Sequence, residues 1–129
     1  MKTLLILAAF YGLSAVILGA FGAHALKDRI PPERLISYET GVRYQLIHAA
    51  VLLLVVLLAG QGNAGLLKIS CGLFGLGVLL FSFSLYLLAL RDMIGLTSWR
   101  WLGPVTPLGG LCLIGGWAAL LVWAVRAKL

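Results

Sequence analysis

Four long apolar runs separated by shorter polar connections dominate the chain. They contain no Asp, Glu, Lys or Arg and cover residues 3–25, 44–67, 69–90 and 101–125. A helix needs about 20 residues to cross the hydrocarbon core of a bilayer, and each run is at least that long. The pattern therefore predicts a single all-α membrane domain over residues 1–129, a four-helix transmembrane bundle with spans at about residues 4–25, 44–60, 69–90 and 105–125.

The composition agrees with lipid as the solvent of this chain. Hydrophobic residues make up 62% and charged residues 11%, far from the balance of a water-soluble domain. The net charge of +6 comes from basic residues in the connections and at the ends of the runs, which favours lipid headgroups over nucleic acid. Cys71 and Cys112 stand far apart, so neither a disulfide framework nor a metal site is predicted.

The first run imitates a secretory signal peptide, because Lys2 precedes an apolar stretch that ends in the cleavage-like sequence at residues 23–25. The stretch is longer than the signal core of about 7–15 residues. We therefore expect it to remain in the protein as the first helix.

Small residues form a ridge along the first predicted helix and another along the fourth. The first ridge consists of Ala8, Gly12, Ala15, Gly19 and Gly22, and the second of Gly109, Cys112, Gly116 and Ala119. Helices in a bilayer associate where small residues allow their backbones to approach. The ridges predict packing inside the bundle, with a homo-oligomer seam as the alternative.

The connection at residues 26–43 is the most polar part of the chain. Pro31 and Pro32 suit a break followed by a helix start, and the next residues form a short amphipathic segment that could rest on the membrane surface. Gly41 is a possible bend, and Glu39 and Arg43 are spaced to form an ion pair.

The other connections are shorter. Residues 61–65 form a turn, Trp99 and Trp101 are placed for the membrane interface, and Thr106 and Pro107 suit the cap and first turn of the fourth helix. With four spans both termini face the same side. That side carries four basic residues and the other six, so the positive-inside rule places the termini outside the cytoplasm of a multi-pass inner-membrane protein.

The candidate site is a polar cluster near the ends of the first two helices. Ionisable and hydrogen-bonding side chains inside a membrane are functional candidates, and helix three descends toward the same depth. The cluster consists of His24, Arg43, Tyr44, Gln45, His48, Ser82, Ser84 and Tyr86.

Three interpretations of this cluster are open: a hydrogen-bonded plug that fixes helix packing, a quinone or lipid headgroup site, and a haem between His24 and His48. The plug is the interpretation we favour, and no cofactor is predicted. We expect His48 to face the bundle and to bond with a helix-three hydroxyl or with the end of helix one near His24.

No catalytic motif is present, so the sequence does not predict an enzyme. The four acidic residues lie in connections, which argues against a proton-coupled transporter. We expect an interaction or assembly protein of the membrane that contacts lipids and either another membrane protein or a second copy. The alternative is a small-molecule binding protein or transporter that uses the polar cluster.

Four stretches carry a family resemblance: residues 19–26, residues 40–45 with His48-Ala49, residues 80–86 and residues 103–110. They resemble the YgdD-like family of small bacterial inner-membrane proteins, known as domain of unknown function 423. The resemblance implies a four-span membrane protein with no agreed activity. It also places all eight residues of the polar cluster within family-like stretches.

Overall fold

The computed structural model describes residues 1–60, 64–95 and 101–127, and this part of the chain is built from helices. The α-helices are α1 (Lys2–Phe21), α2 (Pro32–Ala59), α3 (Gly65–Leu90) and α4 (Leu102–Arg126). A π-helical turn, Gly22–Leu26, continues α1. Each of the four is long and apolar enough to cross a membrane, which confirms the predicted all-α class and the four-helix bundle.

The predicted amphipathic segment is present as the first turns of α2, not as a separate surface helix. Pro32 stands in the first turn, where its missing N–H is not needed. At about 1.5 Å per residue a helix of 28 residues is about 42 Å long, so its polar start extends beyond a core of about 30 Å. The helix is continuous through Gly41, the residue at which the sequence allowed a bend.

The predicted ion pair between Glu39 and Arg43 is not formed. In the described part of the chain the ion pair joins Arg34 to Asp92 instead, and it links the start of α2 to the residues after α3. An ion pair between exposed side chains on one helix is stabilised only weakly in water, so Glu39 and Arg43 gain little free energy from pairing.

The fourth helix begins earlier than predicted, at Leu102. Thr106 therefore lies inside the helix and is not its cap, and its hydroxyl lies 2.6 Å from Ser84 Oγ on α3. Pro104 occupies the first turn and Pro107 lies inside the helix, where it lacks the N–H that would bond to the preceding turn. The predicted turn at residues 61–65 and the interfacial Trp99 lie partly or wholly outside the described residues.

The third helix lies at the centre of the bundle. Each helix packs on the next along the chain, and α1 also touches α3. Two faces of α3 make these contacts. Its α1 and α2 side carries Gly75, Ser82 and Tyr86, and its α4 side carries Ser70, Phe74, Gly77, Phe81 and Ser84.

Glycines of both predicted ridges face neighbouring helices, as the packing interpretation predicts. A Cβ atom on Gly19 would stand 3.2 Å from Val42 of α2, and one on Gly22 would stand 2.6 Å from the Tyr38 ring. On α4, a Cβ on Gly116 would stand 2.7 Å from the Phe74 ring of α3. These glycines let the helices of one chain pack closely against each other.

The closest approach tests this packing, because a Cβ on Gly109 would overlap the backbone nitrogen of Phe81. Backbone cannot move aside as a flexible side chain can, so we expect Gly109→Ala to lower the free energy of unfolding by about 1–3 kcal/mol. Unfolding in mixed detergent, followed by tryptophan fluorescence, measures the change. Gly72→Ala is the control, since a Cβ there meets nothing within 4 Å. Equal stability of the two variants would contradict the close packing of α3 and α4.

Candidate functional site

The side chain of Gln45 lies at the centre of a buried network that joins three helices. It is completely buried on α2. Its Nε2 atom donates to the backbone carbonyl of Tyr11, at 2.9 Å, and to Ser14 Oγ, at 2.6 Å. Its Oε1 atom accepts a hydrogen bond of 2.7 Å from the Tyr86 hydroxyl. One amide therefore bonds to both α1 and α3.

Further side-chain hydrogen bonds to backbone surround this amide. The Tyr11 hydroxyl donates to the Gly75 carbonyl and the Ser82 hydroxyl to the Gly41 carbonyl, both at 2.8 Å. A Cβ on Gly41 would stand 2.8 Å from the Tyr86 ring, so the absence of a side chain lets this ring lie against α2. Among the described residues, no buried side-chain nitrogen or oxygen lacks a partner. The chain itself thus provides the hydrogen-bond partners for these buried polar side chains.

His48 belongs to a different group of side chains. It is buried, and its Nε2 atom lies 3.1 Å from Nε1 of Trp117 on α4. An indole N–H can only donate, so Nε2 accepts and the imidazole proton is on Nδ1. That proton is donated to the Tyr44 carbonyl at 2.8 Å. Both ring nitrogens are engaged.

Aromatic rings surround His48 and form what we call the aromatic cleft: Tyr44, His48, Phe74, Phe81 and Trp117. Tyr44 stacks on His48 with ring centroids 5.8 Å apart, and Phe74 lies 5.5 Å from both His48 and Trp117. Tyr44 and Trp117 are 40% and 46% exposed. The backbones of α2 and α4 do not pack together, and these side chains bridge the space between the two helices.

The structure divides the predicted site into separate groups. Gln45, Ser82 and Tyr86 lie in the buried network, while Tyr44 and His48 lie in the aromatic cleft. The other three lie elsewhere: Ser84 bonds to Thr106 of α4, and His24 and Arg43 are exposed.

The expected partner of His48 needs correction. His48 faces the bundle as predicted, but its partner on another helix is Trp117 of α4 and not a hydroxyl of α3 or the end of α1. Both ring nitrogens of His48 take part in hydrogen bonds, an arrangement that favours the plug interpretation over a haem ligand.

Sequence reasoning missed several members of the two groups. Tyr11 and Ser14 stand one turn apart inside an otherwise apolar run, and Trp117 brings an N–H donor into the middle of another. Because lipid cannot form hydrogen bonds with them, each of these polar groups needs a partner inside the protein. That requirement could have identified them from the sequence.

Four apolar helices around a hydrogen-bonded interior define a small multi-pass membrane protein of the helical-bundle class. The chain belongs to the family described as "Protein of unknown function (DUF423)", whose model matches residues 18–110. The resemblance inferred from the four sequence stretches is therefore confirmed.

Relatives from several bacteria match over nearly the whole chain. The UPF0382 membrane protein YwdK of Bacillus subtilis is 41% identical over 127 residues, which cover 98% of each chain. The UPF0382 membrane protein SH2409 of Staphylococcus haemolyticus is 38% identical over 95% of this chain and 94% of its own. The UPF0382 inner membrane protein YgdD of Escherichia coli K12 is 38% identical over 98% of this chain and 92% of its own. No solved structure matches. The sidedness of the termini stays a prediction.

The network can be tested through the bond between Gln45 and Tyr86. Hydrogen bonds between membrane helices average about 0.6 kcal/mol, so Gln45→Leu, which removes three, should lower the free energy of unfolding by about 2 kcal/mol. Part of this loss arises because the Tyr86 hydroxyl is left without a partner. We therefore expect Gln45→Leu with Tyr86→Phe to cost less than the sum of the two single changes.

Unfolding of the four proteins in mixed detergent gives the double-mutant cycle. Strictly additive losses would show that the two side chains do not interact.

Proposed function

We propose that this chain is an interaction or assembly protein of the membrane and not an enzyme. The observation that carries the proposal is the closed interior, in which the buried polar side chains of the described residues bond within the chain. Among the described residues, such an interior offers no unpaired nitrogen or oxygen atom to act as nucleophile, acid or base. The four acidic residues lie at residues 28–39 and 92, near helix ends, which also argues against proton-coupled transport.

A protein without a reactive interior acts through its surface, and the bundle covers α1 and α4 least. They do not pack on each other, and a smaller share of each is buried than of α2 or α3. The outward face of α1 carries Ile6, Phe10, Leu13, Val16 and Ile17, and that of α4 carries Leu108, Leu111, Ile114, Leu121 and Val125. We propose that a second copy or another membrane protein packs along one of these faces and that lipid covers the rest.

Photo-crosslinking in native membranes tests this surface. A photoreactive amino acid replaces Leu13 on α1 or Ile114 on α4, each more than half exposed. We expect one of the two positions to give a discrete protein adduct, at the mass of a dimer or of a defined complex, because packed helices hold the probe against one neighbour.

Leu54, a 61% exposed residue of α2, is the control position and should react with lipid. Lipid adducts alone from both Leu13 and Ile114 would rule out a partner on these faces.

A second candidate function is binding of a quinone or lipid in the aromatic cleft. The observation in its favour is that Tyr44 and Trp117 are each about half exposed at the edge of this group of rings. Aromatic faces with polar tips suit a flat, partly polar ring.

His48→Leu separates the two functions. We expect the variant to stay folded and to lose about 0.6–1.7 kcal/mol of unfolding free energy, because one hydrogen bond between helices is removed. Trp117→Phe removes the same bond and should cost a similar amount. Mass spectrometry of extracts from the purified proteins should give the same quinone and lipid content for both variants and the parent chain. Loss of a bound molecule from folded His48→Leu would favour the second candidate function.

A further inference from the structure

A small cavity lies where the first turns of α2 meet the end of α3, away from the buried network and the aromatic cleft. Its volume is about 140 Å³. An engineered protein cavity of about 150 Å³ admits benzene, so this one has room for a group of about five heavy atoms, such as a phosphate. The lining residues are Arg34, Ser37, Leu85, Leu88, Ala89 and Arg91.

Two arginines, Arg34 and Arg91, line this cavity from different helix ends. Arg34 is held by Asp92 through one of its terminal nitrogens. A guanidinium has five N–H donors, so Arg34 keeps donors for a further acceptor. Arg91 has no carboxylate partner among the described residues. The two arginines and Asp92 together leave one net positive charge, which matches the single negative charge of a phosphodiester.

A hydroxyl completes the donor set. Ser37 lies about one helical turn after Arg34, and its hydroxyl bonds to the Glu33 carbonyl at 3.2 Å, a long contact. This hydroxyl can turn toward a stronger acceptor, since an ionised oxygen forms a shorter and stronger hydrogen bond than a carbonyl does.

The cavity also has an apolar side that leads into the membrane-spanning part of α3. Leu88 and Leu85 stand about one and two turns before Arg91, which places them about 4.5 and 9 Å deeper along the helix axis. In a bilayer, basic residues at helix ends favour the level of the lipid phosphates, and apolar residues one or two turns deeper favour the level of the acyl chains.

We propose that this cavity binds a phosphate group that bears a negative charge, with Arg34 and Arg91 as the charged donors and Ser37 as the third. An anionic phospholipid and soluble phosphate share this chemistry, and the leucine wall favours the lipid. The proposal does not depend on the interaction role proposed above, because neither the outer face of α1 nor that of α4 takes part.

Binding is measured on the full chain, purified in a maltoside detergent free of phospholipid. In one arm, native mass spectrometry compares retention of phosphatidylglycerol with that of phosphatidylcholine. In the other, inorganic phosphate is titrated by calorimetry. Arg91→Gln removes one donor, and Arg29→Gln is the matched control, because Arg29 is exposed in the connection before α2 and does not line the cavity.

We expect the parent chain to retain phosphatidylglycerol in preference to phosphatidylcholine. Arg91→Gln should weaken this binding about tenfold, the effect of losing one charge-assisted hydrogen bond, and Arg29→Gln should change it little. Ser37→Ala should weaken it about threefold and serves as the second variant if Arg91→Gln does not fold. If the variants change the binding of inorganic phosphate in this way and the chain shows no lipid preference, the site is supported and its ligand is soluble phosphate.

Two results would overturn the proposal. One is that folded Arg91→Gln binds phosphatidylglycerol and inorganic phosphate as well as the parent chain does. If that variant does not fold, unchanged binding by Ser37→Ala counts in the same way. The other is an equal loss with Arg29→Gln, which would show general surface attraction and not a site.

Discussion

The hydrogen bonding of one buried amide, that of Gln45, sets how the first three helices fit together. Hydrocarbon provides no water to satisfy an amide, so its N–H and C=O groups must find partners inside the protein. These partners are a carbonyl and a hydroxyl on α1 and the Tyr86 hydroxyl on α3. Moving α1 or α3 by one turn along α2 would break these bonds. Apolar packing between helices in lipid does not define register so strictly, because every turn is similarly apolar.

The network depends in turn on how closely the helices approach. Gly41 lets the Tyr86 ring lie against the α2 backbone, and its carbonyl accepts the bond from Ser82. On its other side α3 meets α4, where Ser70 donates to the carbonyl of Gly116 at 2.8 Å. The same combination of a glycine and a neighbouring hydroxyl thus joins α3 to helices on both sides. At both contacts a glycine allows the close approach, and a hydrogen bond to its carbonyl stabilises the packed helices.

The helices could be predicted from sequence because their length follows from membrane thickness, and the depth of the site could be predicted because connected helix ends share a level. That argument correctly brought Gln45 of α2 together with Tyr86 of α3. It could not show which helix each side chain would face, because the runs are apolar on all sides and lipid-facing and buried positions look alike. His48 therefore turned out to meet α4. Thr106 resembled a helix cap, but pairing with Ser84 uses its hydroxyl between helices.

The donors that remain accessible suggest where this protein can recognise another molecule. In the aromatic cleft both nitrogens of His48 are already used, which leaves ring faces and the Tyr44 hydroxyl. At the junction of α2 and α3, Arg34 and Arg91 keep N–H donors that one carboxylate cannot satisfy. Charged donors are tolerated there because helix ends reach the headgroup region, whereas the interior would require each of them to be paired. In the described part of the chain, the internal polar groups thus hold the bundle together, and Arg34 and Arg91 keep charged donors at the helix ends.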